Sequence, residues 1–408
     1  MTKNVTISAA IALLLISGAA TAISPAYGCS FSNDPYFTYS NHPDFPLKEF
    51  AAGELGILQP GYARSYLLAA YRYLDGKPLS KPEQQAMVSL WNKRLAPSYD
   101  SCSTDTSTWL KARATVPGAS KLDTIYTERG ISAEEPWQTY CNCQTPAFIK
   151  AAETLNLLVG KFGAASNEVK DWLAAQDKVF SNCSDQAGKE KATTGNIPAP
   201  LPANANEALV KQRAYQIAAA NFYSQKFEAA QKEFNAIAND TASPWREIAP
   251  YLAVRAMLRQ ASLGKTAEKS RLLEAQKRLE HLLSDPSHQE MKADLTALHD
   301  YIQARVAPEQ HLLDLTRQPL TEQSASETTK TIDLLLGTDD TESSNEIKYD
   351  ALPDSVRKSD AIDWMLTFQS GDDAATAHAL ERWKQTSSLP WLVAAISKVK
   401  AVSPDAAN

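Results

Sequence analysis

Apolar residues recur at helical spacing along much of the chain, most regularly between Glu207 and Pro286. Val210, Ala214, Ile217, Ala218 and Phe222 mark a first helix, and the polar run Ser224-Gln225-Lys226 breaks it. Phe227, Ala230, Phe234 and Ile237 follow at offsets 0, 3, 7 and 10, which places them on one helical face. Asn239-Asp240, poor helix formers, close that helix. Ser243-Pro244-Trp245 predicts the start of a third, with Ser as N-cap and Pro where its missing N–H costs nothing. Ile248, Ala249, Leu252, Ala253, Ala256 and Met257 make this helix apolar around much of its circumference, so it should be covered on two sides. A fourth carries Leu272, Ala275, Leu279 and Leu282 at the same four offsets and stops before Ser284-Asp285-Pro286.

The same reading extends to both ends. Tyr62, Tyr66, Leu67, Ala70 and Leu74 predict a helix ending at Asp75-Gly76, and Ser80-Lys81-Pro82-Glu83 is a capping box opening a second, with Val88, Trp91 and Leu95 on one face. Cys102 to Cys143 lacks a period, with Trp109, Trp137 and Tyr140 as packing anchors. Thr145-Pro146 opens a helix whose stripe is Phe148, Ala151, Leu155 and Leu158, and Ser166 caps the next one (Val169, Trp172, Leu173, Val179, Phe180). Gly, Pro, Ala and Asn dominate 184–206, which reads as a linker. The stretch 321–350 reads as an acidic loop. Ala361, Trp364, Met365 and Phe368, then Ala379, Leu380 and Trp383, then Pro390, Trp391, Leu392, Ala395 and Ile396 predict three closing helices within 351–408. Period-2 alternation is scarce, so the expected class is all-α.

A small Ala between large residues lets a neighbouring helix approach closely, as a tight helix hairpin requires. Ala230, Phe234 and Ile237, and better Ala275, Leu279, Leu282 and Pro286, resemble the second helix of the tetratricopeptide (TPR) repeat family. The resemblance covers about 80 residues. It implies an α-solenoid of stacked helix pairs over 207–320, able to bind a protein or peptide. The two stripes begin 45 residues apart, at Phe227 and Leu272. That exceeds the TPR period of about 34 and lies nearer the roughly 40–47 of HEAT-like repeats. Large–Ala–large–aliphatic also occurs a third time, at Phe148 to Leu158.

The opening residues place the protein. Lys3, the apolar run Ile7 to Ile16 and Ala20-Thr21-Ala22 read as a secretory signal peptide over 1–22. No later segment approaches the ~20 apolar residues of a membrane span. The mature chain is therefore expected in the periplasm or cell envelope, with an N-terminal helical domain over 23–183. Net charge is −6, and 321–350 alone holds eight acids against two lysines. The remainder is close to neutral and has no basic stripe, which argues against nucleic acid as a partner.

Export makes disulfides the first reading of the five cysteines. Cys141 and Cys143 are too close in sequence to bridge without strain. Cys102 and Cys183 would each take one of them, which leaves two connectivities. A metal site on Cys141-Asn142-Cys143 has the wrong spacing for structural zinc. Ala26-Tyr27-Gly28-Cys29 resembles a bacterial lipobox, so Cys29 is a candidate lipidation site or else a free thiol.

No residue stands out as catalytic, and no cofactor or metal is expected. Gly56-Ile57-Leu58-Gln59-Pro60 faintly resembles a signature of lytic transglycosylases, but Glu49-Phe50 and Glu54-Leu55 replace the Glu-Ser that family needs. His281, His288, His299 and His311 are spread along the chain; the eleven residues from His288 to His299 span about 16 Å of helix, too far for one ion. Asp339-Asp340-Thr341-Glu342 lacks the Gly and bidentate Glu of a calcium loop. Pro-Trp occurs three times (Pro136-Trp137, Pro244-Trp245, Pro390-Trp391) and reads as a helix start with a packed Trp. The sequence thus predicts an exported protein-binding helical scaffold, with a peptidoglycan-acting hydrolase or a lipid-anchored assembly factor as alternatives.

Overall fold

The computed structural model describes residues 58–95, 104–131, 139–185, 196–202, 204–263, 269–336 and 353–402. The signal segment 1–22, Cys29, Cys102, Trp137 and the acidic stretch from 337 to 350 lie outside the described residues.

Among the described residues the fold is all-α apart from one small strand pair. The first helices are α1 (Arg64–Leu74) and α2 (Lys81–Leu95). Gly76, at φ +74°, turns the chain after α1, a conformation that suits a residue without Cβ. Glu83 reaches back to the Ser80 N–H (2.9 Å) and opens α2 as its capping box predicts. The region expected to be irregular instead contains α3 (Ser107–Ala114), with Trp109 fully buried. It also holds β1 (Glu128–Gly130) and β2 (Thr139–Cys141), antiparallel with Glu128 opposite Cys141.

Next come α4 (Thr145–Phe162) and α5 (Asn167–Ser181), the latter capped by Ser166 Oγ, which accepts from Val169 N at 3.2 Å. Residues 196–202, expected to be linker, form neither helix nor strand but are anchored, with Pro198 buried and Asn182 holding the Asn196 backbone from both sides. Then come α6 (Glu207–Tyr223) and α7 (Phe227–Asn239). Their turn places Gln225 at φ 65°, held by its side-chain amide donating to the Gly130 carbonyl (3.1 Å).

The helix expected from Ser243 starts later, as α8 (Ala249–Ser262). Residues 244–248 form turns instead, because Trp245 stacks on Tyr215 (centroids 3.9 Å apart) and donates to Gln212 (3.1 Å). After α9 (Lys269–Ser284), a 3-10 turn at Pro286–Met291 leads into α10 (Lys292–Val306) and α11 (Pro308–Arg317). Part of the expected acidic loop is α12 (Glu322–Leu336), which buries Thr328, Thr329, Thr331 and Ile332. The chain closes with α13 (Asp354–Arg357), α14 (Asp360–Gln369), α15 (Asp373–Thr386) and α16 (Leu389–Val402).

All twelve residues of the three large–Ala–large–aliphatic stripes, in α4, α7 and α9, are buried. From α4 to α12 each helix packs against the next. The cores step along the chain with them: one spans α3 to α6, a second α6 to α8, a third α8 to α10. Helix α8 serves two of these at once, Ala249, Ala253 and Ala256 facing one core and Val254, Met257 and Leu258 the other. A fourth core joins α1 and α2 to α11, α12 and α14–α16, around Tyr66, Trp91, Trp364 and Trp391. In α16, Trp391 and Ala395 point inward while Ile396 is more than half exposed.

Candidate functional site

A shallow, partly open groove enclosing about 30 Å³ lies along α4, α5 and α6. Helix α4 contributes Ala147, Lys150, Ala151 and Thr154, the face set by its 3.6-residue period. Helix α5 contributes Trp172, Gln176, Val179 and Phe180, all four buried, and these form the floor. Helix α6 supplies Gln212, Tyr215, Gln216, Ala219 and Tyr223, and Trp245 closes one edge.

The polar groups here are linked in series. Arg213 Nε donates to Gln216 Oε1 (3.1 Å). Gln216 Nε2 donates to the Trp172 carbonyl (3.0 Å) and to Gln176 Oε1 (3.2 Å). Trp245 Nε1 donates to Gln212 Oε1. Arg213 is itself fixed, pairing with Asp171 (2.7 Å) and donating to the Ala199 carbonyl (2.6 Å). The Trp172 indole N–H is buried without a partner. Tyr215 and Tyr223 are only partly exposed, and burial pushes both phenols up. At the α8 side Arg255 packs over the rings of Phe222 (5.7 Å) and Tyr251 (5.6 Å).

A second polar centre lies beside the groove and is structural. Cys143 and Cys183 are at disulfide distance, with Cα atoms 5.4 Å apart, and both are fully buried. Between the two clustered cysteines, Asn142 is 1% exposed, and its amide donates to the carbonyls of Asn182, Cys183 and Tyr223. Arg259 donates to Asn142 Oδ1 and to its carbonyl oxygen while lying over Phe222 at 4.2 Å. Burial pulls Arg259 down to about 10.

Other residues singled out by sequence lie apart. His299 is 3.9 Å from Glu280, and His311 is buried with Nε2 unpartnered. Among the described residues no three His, Cys, Asp or Glu side chains gather as a metal site. Trp245 and Trp391 are packed, as the Pro-Trp reading expects, but of the two only Pro390-Trp391 opens a helix; Trp391 donates to Asp360 (2.9 Å). Gln176, Gln212, Gln216 and Tyr215 escape the sequence reading. Their signal is that Gln212, Tyr215, Gln216 and Tyr223 share one helical face outside the apolar stripe.

No described helix is long and apolar enough to cross a membrane. Comparison with protein-family models, with curated proteins and with solved structures gave no match.

Proposed function

We propose that this protein is an exported scaffold of the cell envelope, a TPR-like stack of helices whose groove holds an extended segment of another protein. The observation that carries this reading is the groove itself. Alternate helices α4 and α6 flank a floor supplied by α5, and its lining mixes aromatic rings with amides and hydroxyls. The Cys143–Cys183 pair suits an oxidising compartment. The repeated buried Ala at Ala151, Ala230 and Ala275 supports the repeat reading.

A photo-cross-linking amino acid at Lys150 or Gln212, in cells producing the full chain, tests the proposal. A discrete protein adduct, identified by mass spectrometry and missing when the cross-linker sits at Lys384 on α15, is the expected result. Adducts confined to glycan, or no adduct at either groove position, would overturn it.

A further inference from the structure

Helix α8 has three faces, and the two cores that it serves use two of them. The third carries Tyr251, Arg255, Arg259 and Ser262, all partly exposed and spaced to lie in one row. On one side of the row is the end of α6, where Arg255 packs over Phe222. On the other side is α10, where Tyr301 donates to Ser262 Oγ (2.8 Å) and carries the Arg305 guanidinium over its ring.

The two arginines of the row differ. Arg259 donates to the side chain and backbone of Asn142, so its hydrogen bonds are spent within the fold. Arg255 is flanked by the rings of Phe222 and Tyr251, and no described carboxylate forms an ion pair with it. Arg64, Arg72, Arg113, Arg213 and Arg382 are also buried or partly buried, and each of them has such a partner. Asp294 of α10 acts on Tyr251 electrostatically but does not pair with Arg255. Arg255 and Arg259 are moreover like charges one turn apart, and the Arg255 charge adds to burial in pulling Arg259 down.

The surroundings of Arg255 suit an anion. The Tyr251 hydroxyl accepts from Arg255, which leaves its own proton to donate outward. Burial raises the phenols of Tyr223 and Tyr251, so both keep their protons. The planar fork of a guanidinium matches the two oxygens of a carboxylate, and one unpaired cation matches one negative charge. A phosphate ester, with nearly two charges, calls for a second free cation, and the Arg259 donors are taken.

The site adjoins the groove: Tyr215 and Tyr223 line it, and both feel the Arg255 charge. A shallow groove encloses little of its ligand, so register has to come from a directional, charge-assisted contact. Helices continue on both sides of Arg255, which suits a segment passing across it better than a chain end.

Resting on the peptide-groove reading above, we propose that Arg255 anchors an Asp or Glu side chain within the bound segment. The carboxylate accepts from the guanidinium and from the Tyr251 hydroxyl.

The test uses the oxidised full-length mature protein on immobilised decapeptide pools with uncharged, randomised flanks and amidated C-termini. The central residue is Glu, Gln or phosphoserine, and a fourth pool carries Gln with a free C-terminal carboxylate. The proposal expects about five-fold or greater retention on Glu than on amidated Gln, shrinking toward parity in about 0.5 M NaCl. Arg255→Gln should remove that preference, Arg255→Lys should keep part of it, and Tyr251→Phe should weaken it about two-fold or more. Arg305→Gln, on the neighbouring helix, should leave it intact. Arg255→Gln strands no carboxylate, so its melting temperature should match the parent's; loss of the preference together with a fall of several degrees in both Arg255 variants would make the residue structural and overturn the proposal. Strongest retention on phosphoserine, or on the free C-terminus, would overturn the side-chain carboxylate. Equal retention on Glu and Gln would overturn the anchor while leaving a peptide groove standing. No retention on any pool would remove both.

Discussion

Arg259 and Asn142 are 117 residues apart in sequence, yet Arg259 donates to the Asn142 side-chain oxygen at 2.6 Å and to its backbone carbonyl at 2.9 Å. The Asn142 amide in turn donates to the carbonyls of Asn182, Cys183 and Tyr223. One buried asparagine therefore ties β2, the end of α5, the end of α6 and the last turn of α8 together.

Arg259→Met should cost about 2–4 kcal/mol, because it takes the donor from the Asn142 carbonyl and leaves Asn142 Oδ1 only the Tyr140 hydroxyl at 3.4 Å, while preserving much of the side chain's packing. Asn142→Ala should cost a similar amount. Combined, the two should cost clearly less than their sum, since the second change removes groups that the first has already orphaned. Urea unfolding of the oxidised protein measures all three. A cycle that adds within about 0.3 kcal/mol would mean that the two residues are not coupled.

The acid limb of stability is set in part by Glu83. Burial alone would push its carboxyl up, but the Leu320 N–H (3.0 Å), the Arg72 guanidinium (2.5 Å) and the Ser80 N–H and hydroxyl outweigh that and pull it from 4.5 to about 2. A carboxyl depressed on folding stabilises the native state above its unfolded value. Its contribution, up to roughly 3 kcal/mol, is complete above about pH 4.5 and fades as pH falls toward 2. Glu83→Gln should lower stability at neutral pH and flatten its pH dependence through that window. An unchanged slope would show that other carboxyls carry the acid limb.

Local pattern made one layer of this architecture legible, and tertiary pairing hid the other. The stripes Phe148–Leu158, Phe227–Ile237 and Leu272–Leu282 are buried as their spacing predicts, because burial of a stripe is a property of one helix. Helix α6 behaves differently. Its apolar positions Val210, Ala214 and Ile217 are only half-buried, while Arg213, Gln216 and Asn221 are buried. These polar residues are satisfied by Asp171, Ala199, Trp172, Gln176 and Glu233, partners that no local period announces. The groove rests on that network. The Ser243 start signal likewise lost to the Trp245–Tyr215 stack.

Cys143 and Cys183 are 40 positions apart in sequence and enclose all of α4 and α5. Closing a loop of that length removes unfolded-state entropy worth about 4 kcal/mol in the chain-entropy model. Cys143→Ala/Cys183→Ala should lower stability by a few kcal/mol, and non-reducing peptide mapping should recover a 143–183 cross-linked pair from the exported protein. The same map reads the partner of Cys141, for which pairing with Cys102 is the expectation. A 141–183 peptide in its place would reverse the connectivity.

Helices α1, α12 and α14 meet at a buried charge. Arg64 of α1 pairs with Asp333 of α12, both side chains being under a tenth exposed, and its Nε donates to Gln369 of α14 at 2.9 Å. Breaking a buried pair by removing one partner costs about 3–5 kcal/mol. Asp333→Ala should therefore be among the most damaging substitutions in this core. Replacing both charges by apolar residues of similar volume, Arg64→Met/Asp333→Leu, removes the desolvation cost along with the attraction and should restore most of the loss. If the double variant were as unstable as Asp333→Ala, the pair would be contributing net stability itself. If instead Asp333→Ala cost less than about 1 kcal/mol, α1 and α12 would not be joined through this contact in solution.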